Sequence, residues 1–128
     1  MSQRNFLSAK IHGATITCAK LEYHGSLSID TKLLEAAGIL PFERVDIYNL
    51  DNGERLSTYA IPGGPGEICM NGAAAHKGSK GQRIIIATYQ WLDESEMIGA
   101  KPKVIIAGPD NSIQETIDYE INVVPNAS

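Results

Sequence analysis

The sequence predicts a mainly β domain, a small closed β-barrel with one or two short helices. Apolar and polar residues alternate with a period of two in several segments, as is typical of half-buried strands. Turn residues separate these segments at short intervals. No strand–helix repeat occurs, which disfavours a doubly wound parallel sheet. A chain of 128 residues with 43% hydrophobic residues fits one domain with its own core, so we expect residues 1–128 to form a single unit.

The first half of the chain predicts three strands and one helix. Residues 11–18 form a first strand region, because threonines interleave with apolar residues. Residues 28–38 are expected to be helical, with Asp30 as N-cap and Gly38 at the C-terminal end. Strands over 44–50 and 54–61 flank Asn52-Gly53, a dipeptide that favours a type I′ hairpin turn.

The second half predicts shorter elements, bringing the total to six or seven strands. No element is predicted after Ile121. In chain order, we expect a loop at 62–66, a short strand at 68–70, a turn at Asn71-Gly72 with one helical turn at 73–76, a strand at 83–89, a short helix at 93–97, a strand at 104–107 and a turn at 109–111.

Composition and charge narrow the functional classes. The net charge is −4 and the sequence pI about 5.3, with no basic cluster, which argues against nucleic acid as a partner. No apolar run approaches 18 residues, and the first seven residues lack a secretion-signal pattern, so we expect no membrane association and a cytoplasmic protein. A small anionic substrate stays compatible with this charge.

The cysteines and histidines predict neither a disulfide nor a metal site. Cys18 and Cys69 lie far apart in the chain, and we expect both to be buried free thiols. The three histidines are scattered, whereas metal sites need clustered ligands.

Five short motifs carry the functional signal. Gly25-Ser26 by itself is a common turn, and the other motifs are equally weak alone, but their order and spacing are specific. The motifs are Lys10-Ile11-His12, Tyr23-x-Gly25-Ser26, Asp30, Asn52-Gly53-x-Arg55-x-x-Thr58-Tyr59 and Asn71-Gly72-Ala73-Ala74-Ala75. Over residues 10–103 the chain therefore resembles the aspartate 1-decarboxylases, the pyruvoyl-dependent family that makes β-alanine for pantothenate.

The resemblance implies a six-stranded double-psi β-barrel, assembled as a homotetramer with its sites at subunit interfaces. It also implies autocatalytic cleavage into chains 1–25 and 26–128. The Ser26 hydroxyl would attack the carbonyl carbon of Gly25, and the amide would become an ester. Elimination and hydrolysis would then convert Ser26 into a covalent pyruvoyl group, the cofactor and electron sink for L-aspartate bound as a Schiff base.

The family roles transfer onto individual residues. Thr58 is the expected donor to the Gly25 carbonyl oxygen, and Tyr59 the proton donor to Cα. The resemblance also implies that the remaining substrate-binding residues are Lys10 and Arg55 for the two carboxylates, with Asn71, Gly72, Ala73 and Ala74 lining the pocket. Because Arg55 and Tyr59 are four residues apart on one strand, their side chains share a face that excludes Thr58. This arrangement favours an interfacial site.

The sequence also allows structural explanations of the same residues and other functions for the chain. Ser26 could be an ordinary turn hydroxyl, Tyr59 a core aromatic and Lys10 a solvated lysine. The chain could also be a slowly processed pyruvoyl decarboxylase of another amino acid, or a non-enzymatic β-barrel that binds a partner. His24, beside the cleavage site, and Gly13, where relatives carry arginine, leave the cleavage rate and the need for a maturation factor open.

Overall fold

The structure, a computed structural model, describes residues 2–120 and is mainly β, as the sequence predicts. Within that range the chain forms nine strands, two short α-helices and one 3-10 helix. In chain order these are β1 (Arg4–Thr15), β2 (Cys18–Lys20), β3 (Ser26–Asp30), α1 (Thr31–Ala37), β4 (Arg44–Asn49), β5 (Arg55–Gly63), β6 (Ile68–Asn71), the 3-10 helix (Gly72–His76), β7 (Arg83–Leu92), α2 (Glu94–Met97), β8 (Lys103–Ala107) and β9 (Ile113–Asp118).

The strands form one mixed sheet with the order β2-β6-β3-β5-β4-β7-β1-β8-β9. Met70 near one end of this order and Ile105 near the other belong to the same buried cluster. Two backbone hydrogen bonds tie the distant parts together, from Ile16 N to Gln82 O and from Thr17 N to Ile68 O, both 2.8 Å. This arrangement is consistent with a small β-barrel. The six-strand count is not confirmed, because nine strands pair in the described part of the chain.

Helix α1 has the predicted caps but begins later than expected. The Asp30 carboxylate accepts from Lys32 N at 2.8 Å and from Gly66 N at 2.7 Å. Gly38 ends the helix with a φ of 74°. Residues 28–30 belong instead to β3, which lies between β5 and β6 and is buried along its whole length. Pairing on both sides therefore outweighs the helical spacing at the start of this segment.

The predicted type I′ turn at Asn52-Gly53 is wrong. That turn needs a positive φ at both central residues, and only Gly53 has one, at 75°. Gly53 N donates to Asn49 O, and the Asn49 side chain accepts from Asp51 N at 2.9 Å. The amide side chain of Asn49 thus replaces a backbone contact and stabilises a longer connection.

The prediction of free thiols at Cys18 and Cys69 is also wrong, because the two residues form a disulfide. Strands β2 and β6 are parallel, and their register places Cys18 directly opposite Cys69. A separation of 51 residues carries no information about this register. Of the described residues that could ligate a metal, these two sulfurs and the Glu67 carboxylate form a cluster, but the sulfurs are bonded to each other.

Most remaining elements match their predictions, and one further strand, β9, was missed. The first strand region divides into β1 and β2, and β9 was not predicted because five of its six residues are exposed and only one is half-buried. The segment after Ile121, for which no element was predicted, lies outside the described residues. Within residues 2–120, no helix has the length and apolar character needed to cross a membrane.

Removal of the Asp30 carboxylate is expected to destabilise the fold. Asp30→Ala leaves the N–H of the half-buried Gly66 and the α1 N-terminus without this acceptor, so the free energy of unfolding should fall by about 2 kcal/mol. Asp93→Ala is a matched control, since Asp93 caps the exposed, single-turn helix α2. Its replacement should lower the free energy of unfolding by under about 1 kcal/mol. Urea unfolding of both variants measures the difference. Equal losses would contradict the buried role of Asp30.

Candidate active site

Ser26 begins β3 and lies between strands β5 and β6. Its side chain is 3% exposed, and it pairs directly with Asn71 on β6. On the other side Leu27 pairs with Ala60, so the residue beside Ser26 on β5 is Tyr59. Ser26, Asn71 and Tyr59 therefore form one row across three strands.

Asn71 holds the Ser26 hydroxyl from one side. Its amide nitrogen donates to Ser26 Oγ at 3.0 Å and to Ser28 Oγ at 2.9 Å. Asn71 is itself 4% exposed, so these hydrogen bonds lie away from competing water. The Ser26 hydroxyl can in turn donate only weakly to the His24 carbonyl oxygen, 3.4 Å away. The serine oxygen is thus fixed in place mainly by an amide donor.

Gly72 allows the chain around Gly25 to approach very closely. A Cβ atom at Gly72 would lie 2.5 Å from the carbonyl oxygen of Tyr23 and 2.6 Å from the nitrogen of Gly25. Gly72 also has a φ of 63°, which favours glycine. A Cβ at Gly25 would meet open space, and its φ is not in the left-handed region. In this contact the requirement for glycine therefore falls on Gly72.

An open cavity of about 560 Å³ lies beside this row. Ser26, Ser28, Tyr59 and Asn71 line it on the sheet side. The segment before β3 contributes further polar and aromatic groups, namely Lys20, Glu22, Tyr23 and His24. The cavity is large enough for a small amino acid, and His24 borders it as well as the peptide Gly25–Ser26.

Tyr59 reaches this cavity with its hydroxyl free of hydrogen bonds to other residues in the described part of the chain. Its ring stacks on Phe42, with centroids 5.8 Å apart and an angle of 28° between the planes. Sequence reasoning missed Phe42. Pro41 marks the turn that carries it, but no sequence pattern links that turn to Tyr59.

The candidate cations lie on the same side of the sheet as Tyr59, which we call the outer face. Strand pairing aligns Lys10 with Ala87, Asp46 and Ser57 in one row, and His12 with Ile85, Tyr48 and Arg55 in another. The next row, Ile11, Ile86, Ile47 and Leu56, faces the core. Because side chains alternate along a strand, Arg55, Ser57 and Tyr59 all point to the outer face.

Arg55 lies on the outer face but away from Ser26. Four residues separate it from Tyr59, a distance of about 13 Å along β5. Its guanidinium lies 4.8 Å from the centre of the Tyr48 ring. Tyr48 shares a hydrogen bond of 2.8 Å with the Tyr89 hydroxyl, and this bond, with burial, raises the pKa of Tyr48 to about 12. Tyr48 thus stays neutral beneath Arg55 at physiological pH.

Lys10 lies on β1 and does not line the cavity beside Ser26 of its own chain. Four steps in the sheet order separate β1 from β3, and the hydrogen bond from Thr17 N to Ile68 O ties the segment after β1 to β6, the other neighbour of β3. Burial is the main cause that lowers the pKa of the neighbouring His12, and the charges of Lys10 and Arg83 lower it further.

Thr58 and the small residues after Asn71 differ in burial and in which side of the sheet they face. Thr58 pairs with Val45 on the core side of β5, and no hydrogen bond joins it to Gly25 in the described part of the chain. The β3–β5 pairing begins at Leu27 and Ala60, and Gly25 lies in the bend just before β3. In the 3-10 helix, Ala74 is buried and Ala73 exposed.

Comparison with known proteins identifies the same family along most of the chain. Residues 2–114 match the family described as aspartate decarboxylase. An aspartate 1-decarboxylase of Syntrophus aciditrophicus is 52% identical over 114 residues, which is 88% of this chain and 98% of the relative. The aspartate 1-decarboxylases of Ralstonia nicotianae and Desulfotalea psychrophila are 49% and 50% identical, over 88% and 87% of this chain and 96% and 95% of their own lengths.

A side chain at position 72 is expected to disrupt the site. Gly72→Ala forces a methyl group against Tyr23 and Gly25 and disfavours the positive φ, so the free energy of unfolding should fall by about 3 kcal/mol. Gly99→Ala is the matched control, because a Cβ there meets open space and φ is not in the left-handed region. Chemical denaturation measures both. A Gly72→Ala variant as stable as the control would contradict the close approach.

Proposed function

The chain belongs to the aspartate decarboxylase family, and from this membership we propose that it converts L-aspartate into β-alanine and CO2 with a pyruvoyl group made from Ser26. The observation that best supports the proposal is the buried Ser26 hydroxyl, held by Asn71 beside Tyr59 and an open cavity. The product would serve pantothenate synthesis in the cytoplasm.

The proposed maturation breaks the chain between Gly25 and Ser26. Ser26 Oγ forms a bond to the Gly25 carbonyl carbon, and the C–N bond breaks to give an ester. Elimination releases the Gly25 carboxylate and leaves dehydroalanine at position 26. Water then replaces its nitrogen, which leaves as ammonia, so no oxidant is required. The tight contact of Gly72 with Gly25 supports this step, because it restricts the peptide to one geometry.

We propose that Thr58 donates to the Gly25 carbonyl oxygen as charge develops on it. The position of Thr58 on β5, two residues before the first pair of β5 with β3, supports this role, although its side chain would have to turn from the core side. Gly72, Ala73 and Ala74, at the start of the 3-10 helix, carry small side chains, and their backbone N–H groups are the proposed donors to a substrate oxygen.

Asn71 contacts the oxygen atom that makes the attack. Its amide N–H donates to Ser26 Oγ, the atom that departs on the Gly25 carboxylate, whereas the ketone oxygen of the pyruvoyl group would come from water and be attached to Cα. The pyruvoyl group would supply an electron sink for loss of the α-carboxylate. Tyr59, in the same row and facing the same cavity, would then deliver the proton to Cα.

Arg55 and Lys10 are the proposed partners of the two aspartate carboxylates. The stronger clamp should hold the side-chain carboxylate, because a tight grip on the departing α-carboxylate would stabilise the ground state. Since Lys10 does not line the cavity beside Ser26 of its own chain, we propose that a second subunit supplies it. A homotetramer with sites between neighbouring outer faces meets this requirement.

Loss of the Ser26 hydroxyl is expected to stop maturation and catalysis together. Ser26→Ala removes the attacking oxygen, so denaturing mass spectrometry should find one uncleaved chain and no β-alanine should form. Ser28→Ala is the matched control, since Ser28 binds the same Asn71 amide but takes no part in the attack. We expect Ser28→Ala to be cleaved and Ser26→Ala to stay as one chain. Formation of β-alanine by Ser26→Ala would contradict the mechanism.

A mixture of two inactive chains is expected to recover activity. Lys10→Ala retains Ser26, and Ser26→Ala retains Lys10, so a site between one chain of each kind has both groups. Random co-assembly of equal amounts should restore about a quarter of wild-type turnover. Each site needs an intact Ser26 from one subunit and an intact Lys10 from its neighbour, and each of these is present in half of the chains. Each variant assembled alone is the control. A co-expressed mixture as inactive as either variant would contradict a shared site.

A further inference from the structure

The turn that precedes β4 contains an unfavourable residue. Glu43 N donates to Leu40 O at 3.1 Å, which closes a β-turn with Pro41 second and Phe42 third. Phe42 has a φ of 68°. Turns of this kind favour glycine or asparagine at the third position, because a bulky side chain there is strained. The chain therefore maintains a strained phenylalanine where glycine would be relaxed.

Burial does not compensate this strain. Phe42 is 75% exposed. Asn111, the other non-glycine residue with positive φ in the described part of the chain, is buried and its side chain makes three hydrogen bonds. Phe42 is largely exposed, and its ring stacks on that of Tyr59.

The turn is attached to β5 immediately after Tyr59. Phe42 N donates to Ala60 O at 2.7 Å, and Ala60 N donates to Glu43 O at 3.0 Å. These two bonds fix the turn against the backbone that carries Tyr59. The strained φ then directs the Phe42 ring onto the phenol, at a centroid distance of 5.8 Å.

We infer that Phe42 is a positioning residue that holds the Tyr59 phenol in the orientation needed for proton delivery in the cavity beside Ser26. The inference rests on the proposed function. Phe42 does not line the cavity, whereas Tyr59 does, so Phe42 acts through Tyr59 rather than on the substrate. Stacking limits rotation of a ring whose hydroxyl has no hydrogen-bond partner in the described residues. It also covers part of the phenol from water.

Ring-removing and ring-retaining variants test this role. Phe42→Gly and Phe42→Asn keep the turn preference and remove the ring, so kcat per matured site should fall about tenfold while KM for aspartate changes less than about twofold. Phe42→Tyr and Phe42→Trp should keep kcat within about threefold of wild type, because they retain a stacking ring. Leu40→Ala, in the same turn and also exposed, is the control and should behave as wild type.

Two further measurements separate positioning from a loss of stability. The thermal midpoint of Phe42→Gly should equal or exceed that of the wild type, since glycine relieves the strained φ. In protein labelled on its tyrosine rings, the Tyr59 NMR signal is identified by its loss in Tyr59→Phe. In Phe42→Gly this signal should lose the shift caused by the ring current of Phe42. Mass spectrometry of the cleaved fraction normalises kcat to matured sites.

Three results would overturn the inference: wild-type kcat in Phe42→Gly and Phe42→Asn, an unchanged Tyr59 resonance, or no recovery of kcat with Phe42→Tyr and Phe42→Trp. Failure of the proposed function can be distinguished from failure of the positioning role alone. A wild-type chain that converts no aspartate contradicts that function and the positioning role with it, whereas the Tyr59 resonance still reports whether the rings stack.

Discussion

The contact between the end of β6 and the start of β3 is the constraint on which the site depends. The Asn71 amide binds the hydroxyls of Ser26 and Ser28 together, and Gly72 admits the backbone of Gly25 at a distance that no side chain would tolerate. These contacts hold one peptide, Gly25–Ser26, which joins an exposed glycine to a buried serine. Self-cleavage of an amide requires such restriction, because an unconstrained peptide rarely presents its carbonyl carbon to the neighbouring hydroxyl.

The outer face explains why the remaining groups lie so far apart in one chain. Lys10, Arg55 and Tyr59 all point away from the core, but of these three only Tyr59 lines the cavity beside Ser26. Neutral Tyr48, hydrogen-bonded to Tyr89, lies beneath the Arg55 guanidinium and adds no negative charge there. The proposed assembly of several copies would bring equivalent outer faces together.

Local sequence rules succeeded where short-range contacts decide the structure, and failed where pairing partners decide it. The caps at Asp30 and Gly38 and the short turn after Asn71 follow from neighbouring residues alone. The buried strand at 26–30 and the Cys18–Cys69 disulfide depend on partners 33 or more residues away. The edge strand β9 pairs with the nearby β8, but its exposed residues carry no apolar alternation that would have predicted it. The turn at 49–54 failed because the side chain of Asn49 replaced a backbone contact.

The sequence by itself determined a mainly β chain, its principal turns and the resemblance that singles out Ser26, Tyr59 and Asn71. These depend on residue types and spacings that can be read along the chain. Only the tertiary structure decided that Asn71 binds Ser26, that Gly72 rather than Gly25 needs to be glycine in their contact, and that Phe42 stacks on Tyr59. The physical reason is that strand register and close packing join residues distant in sequence, and periodicity does not encode which strands become neighbours.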